Sequence, residues 1–150
     1  MERIWSKAEP GKLLHLIHRK EDFGKEERAR LSPSAETLMC AAISMDCGKA
    51  FQPHRHLPQD RQTDHTQEIW IVIRGMVTVA YYDTDDSYLC SRDLHDGDCT
   101  ITLAGGHGYQ AGEETLVYEI KTGPYHGRDR DKVYVDGGEW ANDTDHQLGG

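Results

Sequence analysis

Four side chains in this sequence have the types and spacing to hold a transition metal: His54, His56, Glu68 and His107. The stretch from Gly48 reads Gly-Lys-Ala-Phe-Gln-Pro-His54-Arg-His56. Two histidines at i and i+2 on an extended segment face the same way, close enough to share one ion. Glu68 opens the strongest apolar run, Glu-Ile-Trp-Ile-Val-Ile-Arg, and its face of that run continues with Trp70 and Val72. A carboxylate buried on such a face needs a partner, and the two imidazoles offer one through a metal. His107 arrives after Thr100-Ile-Thr-Leu-Ala-Gly-Gly106, a strand ending in a glycine turn. Three imidazoles and one carboxylate suit Fe(II), Mn(II), Ni(II) or Zn(II) and leave one or two coordination positions for substrate or water. Two rivals stay open in the same stretch, Asp60 at the spacing His56-x3-Asp60 and His65.

The elements that must position these groups are strands. Hydrophobic alternation dominates and helical periodicity is nearly absent. The pattern predicts strands over Lys12 to His18, Thr37 to Asp46, Glu68 to Arg74, Met76 to Tyr82, Tyr88 to Leu94, Thr100 to Leu103 and Thr115 to Lys121, with a short last one at Val133 to Val135. Lys20 to Arg30 is heavily charged and reads as loop. Turn clusters at Gly75, Asp83 to Ser87 and Asp96 to Asp98 separate the central runs. Many short strands between Gly and Asp turns predict an all-β sandwich or barrel. Residues 1–136 form one domain with an N-terminal extension, and residues 137–150, polar and glycine-rich, form a flexible tail with Trp140 as its anchor. In the Glu68 run, Ile69, Ile71 and Ile73 make the opposite face equally apolar, so it packs on a second sheet or on a second subunit, and a homodimer is expected.

Composition narrows the function classes. The chain has 150 residues and a formal charge of −9 from 17 basic and 26 acidic side chains. One core fits this length. The acidic balance gives no general attraction for phosphate backbones or anionic lipid, so neither nucleic acid nor membrane is an expected partner. No apolar run has the length of a membrane span, and the first residues lack the apolar stretch of an export signal, which points to the cytoplasm. Cys40, Cys47, Cys90 and Cys99 contain no C-x-x-C pair and read as reduced thiols. Cys47, just ahead of the histidine pair, stays open as a site residue.

These residues resemble the cupins, whose first motif is G-x5-H-x-H-x3,4-E-x6-G and whose second is G-x5-P-x-G-x2-H-x3-N. Gly48-x5-His54-x-His56 and Glu68-x6-Gly75 match the first. The resemblance covers about Thr37 to Lys121 and implies a cupin-type double-stranded β-helix, or jelly-roll, barrel. It also implies His54, His56, Glu68 and a second-motif histidine as ligands of one divalent transition metal, with iron favoured. Two departures stand out. Eleven residues, Leu57 to Gln67, separate His56 from Glu68, where the family has three or four. Asp60 has the shorter spacing but no glycine seven residues on, so Glu68 is preferred to it. In the second motif Leu103 replaces the proline and His107 comes one residue early. The segments Leu103 to Tyr109 and Tyr118 to Tyr125 further resemble a subgroup of small single-domain cupins.

The expected activity is that of a metal-dependent cupin enzyme on a small polar organic substrate, leaning to Fe(II) dioxygenase-type chemistry. The alternatives are a sugar or sugar-acid isomerase or epimerase, in which Glu119 or Tyr109 moves a proton, and a non-catalytic ligand-binding module. Trp70, Val72, Lys121, Arg55 and His65 are the expected substrate contacts, with Arg74 a further candidate at the mouth, and the long Leu57 to Gln67 loop is expected to act as a lid or pocket wall.

Overall fold

The computed structural model describes residues 1–138. The strands are β1 (Glu2–Trp5), β2 (Leu13–His18), β3 (Arg28–Arg30), β4 (Ala41–Ile43), β5 (Glu68–Arg74), β6 (Met76–Tyr82), β7 (Tyr88–His95), β8 (Cys99–Thr102), β9 (Gly106–Ala111) and β10 (Leu116–Lys121). A 3-10 turn at Lys20–Asp22 and one helical turn, α1 (Arg128–Asp131), are the helical elements among the described residues. Neither has the length to cross a membrane. The chain is therefore all-β, as its alternation predicts, and every strand pair is antiparallel. A five-stranded sheet runs β1-β2-β8-β5-β10, a three-stranded sheet runs β7-β6-β9, and β3-β4 forms a separate ribbon.

The two larger sheets face each other across an apolar core of Ile4, Ile17, Val72, Val77, Val79, Tyr81 and Leu94. On the outer side of the five-stranded sheet, Leu16, Ile69, Ile101 and Leu103 pack with Leu31 and Ala42 from the ribbon region. The β5 run thus has both faces apolar for the reason its sequence suggests: one lines the interior and the other carries a second layer. That cover is incomplete. Ile73, Leu116, Tyr118 and Ile120 are 43–66% exposed on the outer face of β5 and β10.

Close approach explains two glycines at turns between strands. At Gly75 (φ +87°), between β5 and β6, a Cβ would come within 2.9 Å of the Thr115 backbone. At Gly105 (φ +79°), between β8 and β9, it would lie 2.5 Å from the Tyr82 carbonyl oxygen, so the chain can turn there only without a side chain.

Several elements differ from the sequence expectation. The N-terminal residues are an edge strand of the main sheet, with Ile4 in the core, rather than an extension. Here alternation over four residues is too short a signal to read in a charged context. Thr37 to Asp46 shrinks to Ala41–Ile43, and Arg28–Arg30 pairs with it. His107 lies within β9, an extra strand whose glycines hide its pattern. Val133 to Val135 is not a strand. Residues 139–150, including the expected anchor Trp140, lie outside the described residues.

Candidate functional site

The register of the main sheet places four polar side chains in one row. Lys121 on β10 pairs with Glu68 on β5, Glu68 with Thr102 on β8, and Thr102 with His15 on β2. Partners across antiparallel strands share a face, and this row faces inward at one end of the sandwich. The next row inward is Glu119, Trp70, Thr100 and Ile17, and beyond it the interior is apolar. From the opposite sheet β9 contributes His107 and Tyr109, which lie opposite Tyr81 and Val79 of β6.

These rows meet at Glu68, which is 6% exposed. Its Oε1 accepts a hydrogen bond from the Tyr109 hydroxyl at 3.1 Å and lies 3.4 Å from His107 Nε2. Its Oε2 lies 3.1 Å from Lys121 Nζ, which also reaches Glu119 at 2.9 Å. The Trp70 indole stacks on Tyr109 at 3.7 Å between centroids and walls one side. Behind the row, His15 is fully buried, with Nδ1 3.1 Å from Thr102 Oγ1 and Nε2 3.2 Å from the Tyr82 carbonyl. Tyr81 shares a 2.8 Å hydrogen bond with Thr100.

The charges follow from these contacts. Burial alone would raise the Glu68 pKa, but His107 and Lys121 outweigh it and bring it down to about 2. Burial and the adjacent Glu68 charge hold the Tyr109 phenol well above its usual range. Burial works against the Lys121 charge, yet Glu119 and Glu68 raise its pKa. At neutral pH the cluster is therefore a carboxylate held by His107, an ammonium and a phenol. Burial pushes His15 down to about 4, so it is neutral there. Two buried polar atoms at the site lack partners among the described residues, Trp70 Nε1 and His107 Nδ1.

The other expected site residues lie elsewhere. His54, Arg55 and His56 stand on the segment 44–67, which has no regular structure and is exposed throughout 45–66. The two imidazoles are 5.2 Å apart, centroid to centroid, and His54 Nδ1 meets the Gln52 carbonyl at 3.0 Å. Asp60 and Cys47 are exposed on the same segment. His65 sits at its end, with Nε2 2.9 Å from the Leu103 carbonyl. Val72 is 1% exposed and packs inside the apolar core. Arg74 is at the far end of β5 and pairs with Glu114. Of the four expected metal ligands, Glu68 and His107 come together and the two loop histidines do not join them. Among the described residues, no three His, Cys, Asp or Glu side chains converge as a metal centre. Glu68 is already engaged by Lys121, Tyr109 and His107, so as arranged these four residues do not fit one ion.

No protein-family profile, curated protein or solved structure matches the chain. The site must be read from its own chemistry. His15 and Thr102 were not among the sequence candidates, although His15 does interrupt an apolar strand, Leu-Leu-His-Leu-Ile-His. Which way that strand faces is decided by its pairing with β8.

Proposed function

We propose that the Glu68–His107–Lys121 end of the sandwich binds a small, neutral polyhydroxylated molecule and transfers a proton on it, as an isomerase or epimerase does. The observation that carries this reading is the Glu68–His107 pair. His107 Nε2 lies 3.4 Å from the buried carboxylate, and its Nδ1 is the atom without a partner among the described residues. A carboxylate that orients one nitrogen of an imidazole while the other is free to take a proton is the arrangement of a general base, and the Glu68–His107 pair has the components of one. Glu68 itself, held near 2, is too weak a base for the task. In the proposed step the His107 ring, whose Nδ1 is buried as it stands, turns toward the ligand, removes a proton from a carbon next to a carbonyl and returns it to the neighbouring carbon or to the opposite face. Lys121 Nζ or the Tyr109 hydroxyl then stabilises the oxyanion. Tyr109 thus serves as donor and not as base, and Glu119 holds Lys121 in place. Lys121, the cation beside Glu68, is shared by two carboxylates, which disfavours an anionic substrate. The fold this reading uses is a cupin-type jelly-roll barrel.

The test is solvent-deuterium incorporation into neutral aldoses, followed by NMR. Incorporation that persists after chelation and disappears in His107→Gln is the expected result. Incorporation unchanged in His107→Gln would refute the assignment.

A second reading keeps the metal. His65 ties the end of the histidine loop to Leu103, beside the Glu68 row, so a folded-over loop would bring His54 and His56 toward Glu68. A cupin metalloenzyme of oxygenase type, with Fe, Mn, Ni or Zn, would then apply. Elemental analysis of the native chain beside the double variant His54→Ala, His56→Ala decides. About one ion per chain, lost in the variant, supports this reading over the first. No uptake on reconstitution removes it. The expected homodimer, in either reading, uses the exposed outer face of β5 and β10, and sedimentation of a Tyr118→Glu variant tests it.

A further inference from the structure

β10 ends the five-stranded sheet, and among the described residues no strand pairs with its outer edge. Two hydrogen bonds fix which backbone groups that edge presents. Val72 N donates to the Asp98 carbonyl at 3.0 Å, so Glu68, Trp70 and Val72 turn their backbone groups toward β8. Thr122 N donates to the Gln67 carbonyl at 3.0 Å, so Tyr118, Ile120 and Thr122 turn theirs toward β5. The N–H and C=O groups of Val117, Glu119 and Lys121 therefore point away from the sheet, as a ladder with one side unfilled. Tyr118 and Ile120 stand 66% and 43% exposed on the outer face, and Glu119 and Lys121 lie on the inner face at the site. β1, at the other end of the sheet, is four residues long and irregular at Trp5. An open ladder flanked by exposed apolar side chains is a surface that takes up another strand.

We propose that the edge of β10 is the docking surface for β10 of a second copy of this chain, antiparallel about a two-fold axis at Ile120, and that the partner's Lys121 supplies a charge to the site through Glu119. The proposal rests on the expected homodimer and gives it an edge-to-edge form. Charge selects the register. With the axis at Ile120, the N–H and C=O of Glu119 bond to those of Lys121 of the partner subunit. The two side chains, opposite in charge, then stand across from each other on the inner face, and the pair repeats on the other side of the axis. On the outer face Ile120 meets the partner's Ile120, and Tyr118 meets the partner's Thr122. An axis at Glu119 would set two carboxylates against each other, and an axis at Tyr118 would set Glu119 against an apolar Val117. Within one chain Lys121 divides itself between Glu119 at 2.9 Å and Glu68 at 3.1 Å. The partner's ammonium answers Glu119 and leaves this chain's Lys121 to Glu68. The two sites thus adjoin across the axis, each holding one charge from the other copy.

The full chain is tested by sedimentation, cross-linking and amide exchange. Sedimentation across the micromolar range should show a dimer that Glu119→Lys weakens about tenfold, because two opposite-charge pairs become like-charge pairs. In a Cys47→Ser background, Ile120→Cys should oxidise to a disulfide-linked dimer, since non-hydrogen-bonded partners sit about 4.5 Å apart between Cα atoms. Tyr118→Cys, placed away from the axis, should not. Amides of Val117, Glu119 and Lys121 should exchange freely in the dilute chain and slow about tenfold in the dimer, while those of Tyr118 and Ile120 stay protected in both. A dimer that links through Tyr118→Cys and not Ile120→Cys, or that is insensitive to Glu119→Lys, would overturn the edge pairing and leave the homodimer standing. A chain that stays monomeric would overturn both. Protection of the Val117, Glu119 and Lys121 amides in the dilute chain would also overturn the proposal, since a segment of the same chain would then fill the edge.

Discussion

The segment 44–67 and the inner row Lys121–Glu68–Thr102–His15 meet at one residue, Glu68, and obey opposite physics. The segment carries His54, His56 and His65 among polar neighbours and is exposed over 45–66. His54 and His56 keep their hydration, and of the three it is His65 that the surrounding fold holds, at the Leu103 carbonyl. The inner row is built on paired strands, where each side chain's direction is set by register. A charge there must find a partner, and Glu68 finds three. The comparison teaches that a recognisable spacing and a preorganised site are different things. The motif histidines have the spacing, and the residues around Glu68 have the preorganisation.

The comparison breaks first at Glu68. Glu68→Ala removes one of the two carboxylates on Lys121 and leaves the Tyr109 hydroxyl without its acceptor, and should cost about 3 kcal/mol in urea unfolding. A loss under about 1 kcal/mol would mean the cluster is solvated like the loop.

Acid should cost about as much through His15. Its folded pKa lies near 4 against 6.5 in the unfolded chain, so above 6.5 neither state takes up a proton and stability is full. Between 6.5 and 4 the unfolded chain gains the proton first and about 3 kcal/mol is lost. His15→Gln should flatten that interval. Glu68, depressed to about 2, acts in a lower window: its contribution is whole above 4.5 and is lost as pH falls toward 2. Unfolding curves from pH 7 to 3 separate the two.

A smaller effect is expected at Trp70→Leu, which removes the stack on Tyr109 and should cost about 1 kcal/mol beyond the lost area, with a change in near-ultraviolet circular dichroism. Smallest of all should be His54→Ala with His56→Ala, within about 0.5 kcal/mol without added metal. A larger loss would show that the loop histidines are packed after all, and would sharpen the case for a folded-over loop.

Much of the central sheet was legible. The bounds of β5 and β6 agree residue for residue with the alternating runs, because β-branched and aromatic side chains between turn residues leave few other conformations. β1 and β9 were not legible: one is short and charged, and the other holds two glycines in six residues. At the site, Glu68, His107, Tyr109, Trp70, Lys121 and Glu119 were named from sequence and do cluster. Their expected roles rested on His54 and His56, which the fold leaves on the loop.

The sequence by itself determined that the chain is all-β and that Glu68 shares one apolar strand face with Trp70 and Val72. Local alternation reports strand and face directly. Which groups answer that buried carboxylate was decided only by tertiary structure. Lys121, Tyr109 and His107 lie 53, 41 and 39 residues further along the chain, and His15 lies 53 residues before it. Strand order and register bring them together, and neither is written in the local pattern of any one strand.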